Sequence, residues 1–338
     1  MKTIRWGIIG CGNVTEVKSG PGFQNANNSQ LVAVMRRDGE KAKDYAIRHN
    51  VPKWYDNAEK LINDPDVDAV YIATPPAFHK EYTIKCAEAG KTVYVEKPMA
   101  RNFEECTAMV EACKSANVPL FVAYYRRALE RFNKIKEIID SGKIGEVRFV
   151  SITLYKKALK IESNSGKLPW RFIPEISGGG EFLDLASHTL DILDYILGPI
   201  KEARGYADNQ AKLYEAEDIV TASLSFASGV KGTGVWCFSS FCDYDMNEIV
   251  GSEGKISFAT FGSTPIVLTT LEGTTSISII NPVHIQEQLI QSIVNELNGQ
   301  GICPSKGISG SRTNRVMDEI LKDYYNKTKW ENFNDKRI

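Results

Sequence analysis

The chain shows no excess of charge of either sign, no cysteines at CxxC spacing and no apolar run that approaches a membrane span. Lysine and arginine number 41 against 42 aspartates and glutamates, a net charge of -1. That balance gives no global pull toward nucleic acid or an acidic membrane surface. Seven cysteines, an odd number without paired spacing, argue for reduced thiols in the cytoplasm. Cys86, Cys106 and Cys113 fall in helical patterns and read as core or boundary residues. Met1 leads straight into a strand-like segment rather than a signal peptide. Internal repeats, low-complexity segments and long linkers are missing too. The expectation is a cytoplasmic protein with neither membrane nor nucleic acid among its partners.

At 338 residues, with 43% hydrophobic and 25% charged content, the chain has ample material for two domains of a soluble enzyme. The first half alternates strands and helices. An apolar strand over 4–9 runs into Gly10-Cys11-Gly12-Asn13-Val14-Thr15, a dinucleotide fingerprint with Thr15 in place of the third glycine. Gly10 permits the tight turn, and Gly12 lets backbone N–H groups approach a pyrophosphate. Pro21 and Gly22 interrupt the helix that follows. A second strand over 31–35 ends in Arg36-Arg37-Asp38, where an NAD enzyme would place an acid for the ribose hydroxyls. Two guanidinium groups there suit a 2′-phosphate and favour NADP, with Asp38 serving NAD as the alternative.

Further strands over 67–73, 93–95 and 119–123 alternate with helices over 40–49, 58–63, 80–89 and 103–116. This pattern implies a doubly wound parallel sheet, a Rossmann domain over 1–124. Thr74 and Pro75 follow one strand end, and His79 lies just beyond, either lining a cofactor pocket or beginning a helix without a role. Glu96-Lys97-Pro98 closes another strand, because Pro98 cannot donate a ladder hydrogen bond. Lys97, placed at a strand's carboxyl end and partly desolvated, fits proton transfer.

Residues 125–338 read as an α+β domain with a large, mostly antiparallel open sheet, because strand-like segments of alternating polarity accumulate there. Inside it, Gly178-Gly179-Gly180 forms a close-approach loop before a helix. Asp184, His188 and Asp191 share one face of that helix at i, i+4 and i+7. A carboxylate one turn from an imidazole suits general acid-base work. Metal binding ranks lower, since no third ligand stands at diagnostic spacing. Trp170-Arg171 places a flat ring beside a fixed cation, useful for covering a nicotinamide.

In this order, these motifs resemble the glucose-fructose oxidoreductase, inositol dehydrogenase and rhizopine-catabolism family over nearly the whole chain. The resemblance implies that Lys97 is the catalytic lysine and that Asp184 and His188 complete a polar triad with it. It implies that Thr74, Pro75, His79 and Glu96 line the cofactor cleft. It also implies a hydride transfer between NADP or NAD and a hydroxyl or ketone carbon of a sugar, glycoside or polyol, and a homodimer or tetramer formed through the second domain's sheet. Two other readings stand beside this one. The first is a catalytically inactive sensor of nucleotide and sugar, and the second is a reductase of a non-sugar substrate resembling biliverdin reductase. Retention of Lys97, Asp184 and His188 together speaks against the sensor.

Overall fold

The computed structural model describes residues 1–158 and 168–327. The chain forms two compact units, Met1–Asn133 with Ile280–Ser311, and Lys134–Ile279 with Arg312–Ile338.

The first unit is built on a six-stranded parallel sheet: β1 (Ile4–Ile9), β2 (Ser29–Met35), β3 (Lys53–Tyr55), β4 (Ala69–Ile72), β5 (Thr92–Val95) and β6 (Leu120–Val122). Their spatial order is β3-β2-β1-β4-β5-β6. The chain therefore winds outward from β1, returns to β4 and winds the other way, which leaves a crevice at the carboxyl ends of β1 and β4. The inner strands are apolar on both faces, and every residue of β4 is buried. Cys86, Cys106 and Cys113 are buried in this core. β3 was not visible as a strand in the sequence, because three edge residues are too few to show alternation.

Helices α1 (Asn13–Val17) and α2 (Gly20–Asn25) replace the single helix usual after such a glycine turn, and α3 (Gly39–Arg48), α4 (Ala58–Ile62), α5 (His79–Glu88) and α6 (Phe103–Ser115) follow. The break falls at Lys18-Ser19, so Pro21 and Gly22 open α2 rather than interrupt a helix, and the two glycines of that first turn answer to close packing. A Cβ on Gly20 would lie 2.4 Å from the Tyr45 hydroxyl, which donates to Thr15 O at 2.8 Å. One on Gly22 would lie 2.9 Å from Ile290 and 3.1 Å from Glu287 Cα. Those two residues come from the returning segment Ile280–Ser311, where Leu289, Ile290, Ile293 and Val294 are buried. The same segment covers the sheet's far edge: Lys306 bridges Phe121, and the Ser305 hydroxyl donates to Val122 O at 2.7 Å.

The second unit holds helices α7 (Glu130–Asp140, begun in the first unit), α8 (Pro174–Ser177) and α9 (Ser187–Leu197). The helices Glu287–Leu297 and Gly307–Lys327 are α10, in the first unit, and α11, which runs into the second. Its sheet comprises β7 (Val147–Lys157), β8 (Ile200–Asp208), β9 (Ile219–Phe226), β10 (Lys231–Ser240), β11 (Tyr244–Gly251), β12 (Gly254–Phe258), β13 (Ile266–Thr270) and β14 (Gly273–Ile277), in the order β14-β13-β12-β11-β7-β10-β9-β8. Every neighbouring pair is antiparallel except β7 with β10. Val150, Ile152 and Leu154 are buried on one face of β7, and Trp236 of β10 packs edge-on against Phe182 on that side at 5.1 Å. Among the described residues no helix is long and apolar enough to cross a membrane.

Candidate active site

The glycine turn sits where the β1/β4 reversal opens. Gly10 adopts φ +93°, which favours glycine, and a Cβ there would come within 3.0 Å of Ala73 and Thr74. The N–H groups of Gly10 and Cys11 donate to Met35 O at 2.8 and 3.2 Å. Thr15 explains its own substitution for glycine: its buried hydroxyl accepts from Gly12 N–H at 3.0 Å and lies 2.8 Å from Gly12 O. Asn13 and Val14, at the start of α1, are the next backbone groups in line. Cys11 is buried, and that burial pushes its thiol up to about 11, so it stays protonated.

At the end of β2, an Arg36 amino group donates to Cys11 O at 3.4 Å, placing its guanidinium against the glycine turn. Arg37 lies over the Phe78 ring, 5.4 Å from its centroid. Asp38 is occupied elsewhere. It caps α3 by accepting from Lys41 N–H at 3.2 Å and pairs with the Lys41 ammonium at 3.0 Å.

Thr74 and Pro75 extend β4 at the same rim. Among the described residues nothing hydrogen-bonds the buried Thr74 hydroxyl, an orphaned polar atom of the kind a bound polar ligand would satisfy. His79, with no exposed surface, is placed by the first turn of α5. Its Nε2 lies 2.7 Å from Thr74 O, and its Nδ1 lies 3.2 and 3.1 Å from Pro98 O and Met99 O. Burial pushes its pKa below the usual 6.5 against the pull of those carbonyls. The imidazole therefore sits between the turn after β4 and the turn after β5, and in its neutral form its one N–H donates to a carbonyl of one of them.

Glu96 is buried, and both of its oxygens are engaged. Oε1 accepts from the Tyr71 hydroxyl and from Gln286 Nε2 at 2.6 Å, and Oε2 accepts from Lys97 N–H at 3.0 Å. Gln286 in turn accepts from the Tyr94 hydroxyl at 2.7 Å. Lys97 is half-buried and precedes a cis Pro98. Gly10, Thr74, His79, Glu96 and Lys97 thus share one rim of the first unit. Tyr71 and Gln286 complete it, though a tyrosine inside a strand and a glutamine far along the chain carry no local motif.

In the second unit, Trp170, Arg171 and Asp184 come together. The Arg171 guanidinium lies 4.4 Å from the Trp170 ring centroid, and its Nε is 3.4 Å from Asp184 Oδ2. The single α-helical face expected for Asp184, His188 and Asp191 is interrupted. Phe182–Ala186 is a π-helical turn, and α9 begins only at Ser187. The wider turn changes the angle between Asp184 and His188, a distortion that often accompanies function. Asp184 stays partly exposed, whereas His188 and Asp191 are buried. His188 packs edge-on against Phe261 at 5.7 Å. The loop bearing Phe261 is pinned by Asp245, which accepts from Thr260, Phe261 and Gly262 N–H groups at 3.1, 2.6 and 3.1 Å. Among the described residues no cluster of His, Cys, Asp and Glu could hold a metal ion.

A parallel sheet that reverses beside a glycine turn, with an unsatisfied hydroxyl at its rim, is the architecture of a dinucleotide-binding domain. Residues 4–124 match the model of the oxidoreductase family with an NAD-binding Rossmann fold, and residues 132–257 match the GFO/IDH/MocA C-terminal domain. The chain belongs to the GFO/IDH/MocA oxidoreductase family. It is 39% identical over 315 residues to Oxidoreductase P35 of Formosa agariphila, covering 93% of this chain and 97% of that protein. It is 31% identical over 276 residues to the myo-inositol 2-dehydrogenase of Thermotoga maritima, covering 80% and 79%. Its fold is similar to that of a levoglucosan dehydrogenase solved with NADH and levoglucosan, with a TM-score of 0.84 at 23% identity over 96% of this chain and 98% of that one.

Proposed function

We propose that the protein moves a hydride between NADP or NAD and a hydroxyl-bearing or ketone carbon of a sugar, glycoside or polyol, with NADP preferred. The observation that carries this reading is the placement of Lys97 at the β5 carboxyl end, on the rim shared with Gly10 and Thr74, in a chain whose relatives include a myo-inositol dehydrogenase. The first unit holds the dinucleotide. The N–H groups of Asn13 and Val14 meet the pyrophosphate, the Thr74 hydroxyl and Pro75 line the nicotinamide side, and Arg36 and Arg37 grip the 2′-phosphate. The bound nicotinamide supplies the hydride chemistry. Lys97 exchanges the hydroxyl proton, Asp184 and His188 orient the substrate and share in holding that proton, and Trp170 and Arg171 cover the site.

The outer face of the second unit's sheet supports a homodimer or tetramer. Strand register places Tyr206, Phe149, Tyr155 and Tyr244 on one side, and Tyr206 is 82% exposed. The cytoplasm is the compartment that suits the free cysteines.

The test is a panel of sugars, glycosides and polyols offered with NAD and NADP, followed by absorbance of the reduced cofactor, in wild type and Lys97→Ala. Turnover of at least one such compound is expected, with a loss of roughly two or more orders of magnitude in the variant while cofactor binding is largely kept. Near wild-type turnover in Lys97→Ala would remove the lysine from the mechanism.

A further inference from the structure

The turn Gly178-Gly179-Gly180 that leads toward Asp184 closes on a carboxyl group that belongs to none of the motifs above. Glu217, just before β9, has no exposed surface. Its Oε1 accepts from Gly180 N–H at 2.9 Å, and its Oε2 accepts from the Tyr325 hydroxyl of α11 at 2.6 Å. A Cβ on Gly180 would stand 2.7 Å from Glu217 O and 3.2 Å from Oε1, and one on Gly179 would stand 3.3 Å from Oε1 and 2.6 Å from Leu183. The glycines let the turn close on Glu217. A side chain at either position would push the turn, and the π-helical turn after it, off this anchor.

We propose that Glu217 is a positioning residue for Asp184: its carboxylate, held between Gly180 and Tyr325, fixes where the glycine turn delivers the Phe182–Ala186 turn. The proposal rests on the reading of Asp184 as part of the active site. A fully buried carboxylate is costly unless hydrogen-bond donors meet its oxygens, and here both partners are donors, the pattern that suits the ionised form. If the only task were to accept one N–H, an amide side chain would do so at lower cost.

Burial, with a smaller push from Asp218, raises Glu217 to about 7 against the pull of the Tyr325 hydroxyl and Gly180 N–H. Among the described residues, the titratable groups whose charge acts on it are Asp218, Tyr214, Tyr324 and Tyr325. None of these carries a positive charge, so the grip depends on the two hydrogen bonds. Protonation below neutrality converts one carboxyl oxygen from acceptor to donor and loosens the turn.

The test compares wild type, Glu217→Ala, Glu217→Gln and Asp184→Asn. The readouts are hydrogen–deuterium exchange over residues 178–188, binding of NADH and NADPH, and turnover of myo-inositol, D-glucose and levoglucosan on both sides of neutral pH. In Glu217→Ala, exchange over 178–188 should rise about tenfold or more with first-unit peptides unchanged. Its kcat should fall by a similar factor, with cofactor binding held within about twofold. Glu217→Gln, which keeps an acceptor for Gly180 N–H but like the protonated acid presents a donor in place of the other oxygen, should hold kcat near the wild type's acid-side level at every pH and so abolish the fall. Unchanged exchange in Glu217→Ala overturns the proposal, whether or not any sugar of the panel is turned over. So does a Glu217→Gln variant whose kcat still falls on the acid side, or faster exchange in Glu217→Ala with wild-type kcat. Wild-type turnover in Asp184→Asn would instead overturn the functional reading beneath it, while the exchange measurement still scores the grip of Glu217 on the turn.

Discussion

Gln286 donates from Nε2 to Oε1 of Glu96 at 2.6 Å, across 190 positions of chain. The residue that precedes the proposed catalytic lysine is thus fixed by a side chain from the returning segment of the first unit. Both groups are buried, so neither has water as a substitute partner.

Replacing Gln286 by methionine keeps its bulk and removes both of its hydrogen bonds. The Tyr94 hydroxyl would then lack its partner, at about 1–3 kcal/mol for an unsatisfied buried group, and Glu96 Oε1 would keep only the Tyr71 hydroxyl. Chemical denaturation of the first unit should show that loss, and kcat should fall because Glu96 accepts from the Lys97 N–H. Unchanged stability and turnover would show that the network does not support Lys97.

Arg36→Asp should weaken NADP strongly and NAD little. A guanidinium–phosphate contact contributes about 1.5–3 kcal/mol in favourable geometry, and less here because Arg36 is exposed and screened by salt. Asp38 stays engaged with Lys41 in capping α3 and so leaves the phosphate unopposed. Titration of wild type and variant with each cofactor at one ionic strength measures the ratio. A wild-type preference for NAD, or a ratio that the substitution leaves unmoved, would reduce these arginines to a basic turn.

If Asp184 and His188 serve one substrate, single substitutions at either should each lower kcat/KM. The double variant should then fall well short of the product of the two losses. Steady-state kinetics of Asp184→Asn, His188→Asn and the pair decide this. Fully multiplicative losses would mean that the two side chains act independently.

Acid stability should report on Asp68. Its carboxylate accepts from Arg5 N–H and Nε at 3.0 Å and from the Lys2 ammonium at 3.0 Å. Burial pushes its pKa upward, but these bonds outweigh burial and hold it well below the ordinary 3.8. A depressed carboxyl stabilises the fold above its unfolded value and loses that contribution as pH falls through the folded one. Asp68→Asn should therefore lower Tm by about 2–4 °C near neutrality. The gap from wild type should close as the pH drops below 3.8. A gap that stays constant over that range would assign the loss to packing.

The alternation of strands and helices, the glycine turn after β1 and the strand ends bearing Thr74 and Lys97 are all legible in the residues alone. Those signals are local: apolar runs of strand length, helix caps, and residues whose backbone chemistry ends a strand. Tertiary structure alone decided that Ile280–Ser311 returns to the first unit, that β3 adds an edge strand and that β7 and β10 pair in parallel. Such pairings are chosen by burial and edge coverage between distant segments, which no window of sequence contains. The proposed site divides the same way. Lys97, Asp184 and His188 announce themselves by type and spacing. By contrast, Tyr71, Gln286 and Glu217 act only through hydrogen bonds to groups 25, 190 and 37 positions away. The π-helical turn at Asp184 is likewise a tertiary outcome, because a regular helical reading places every residue at the same angular step and cannot show where the chain widens.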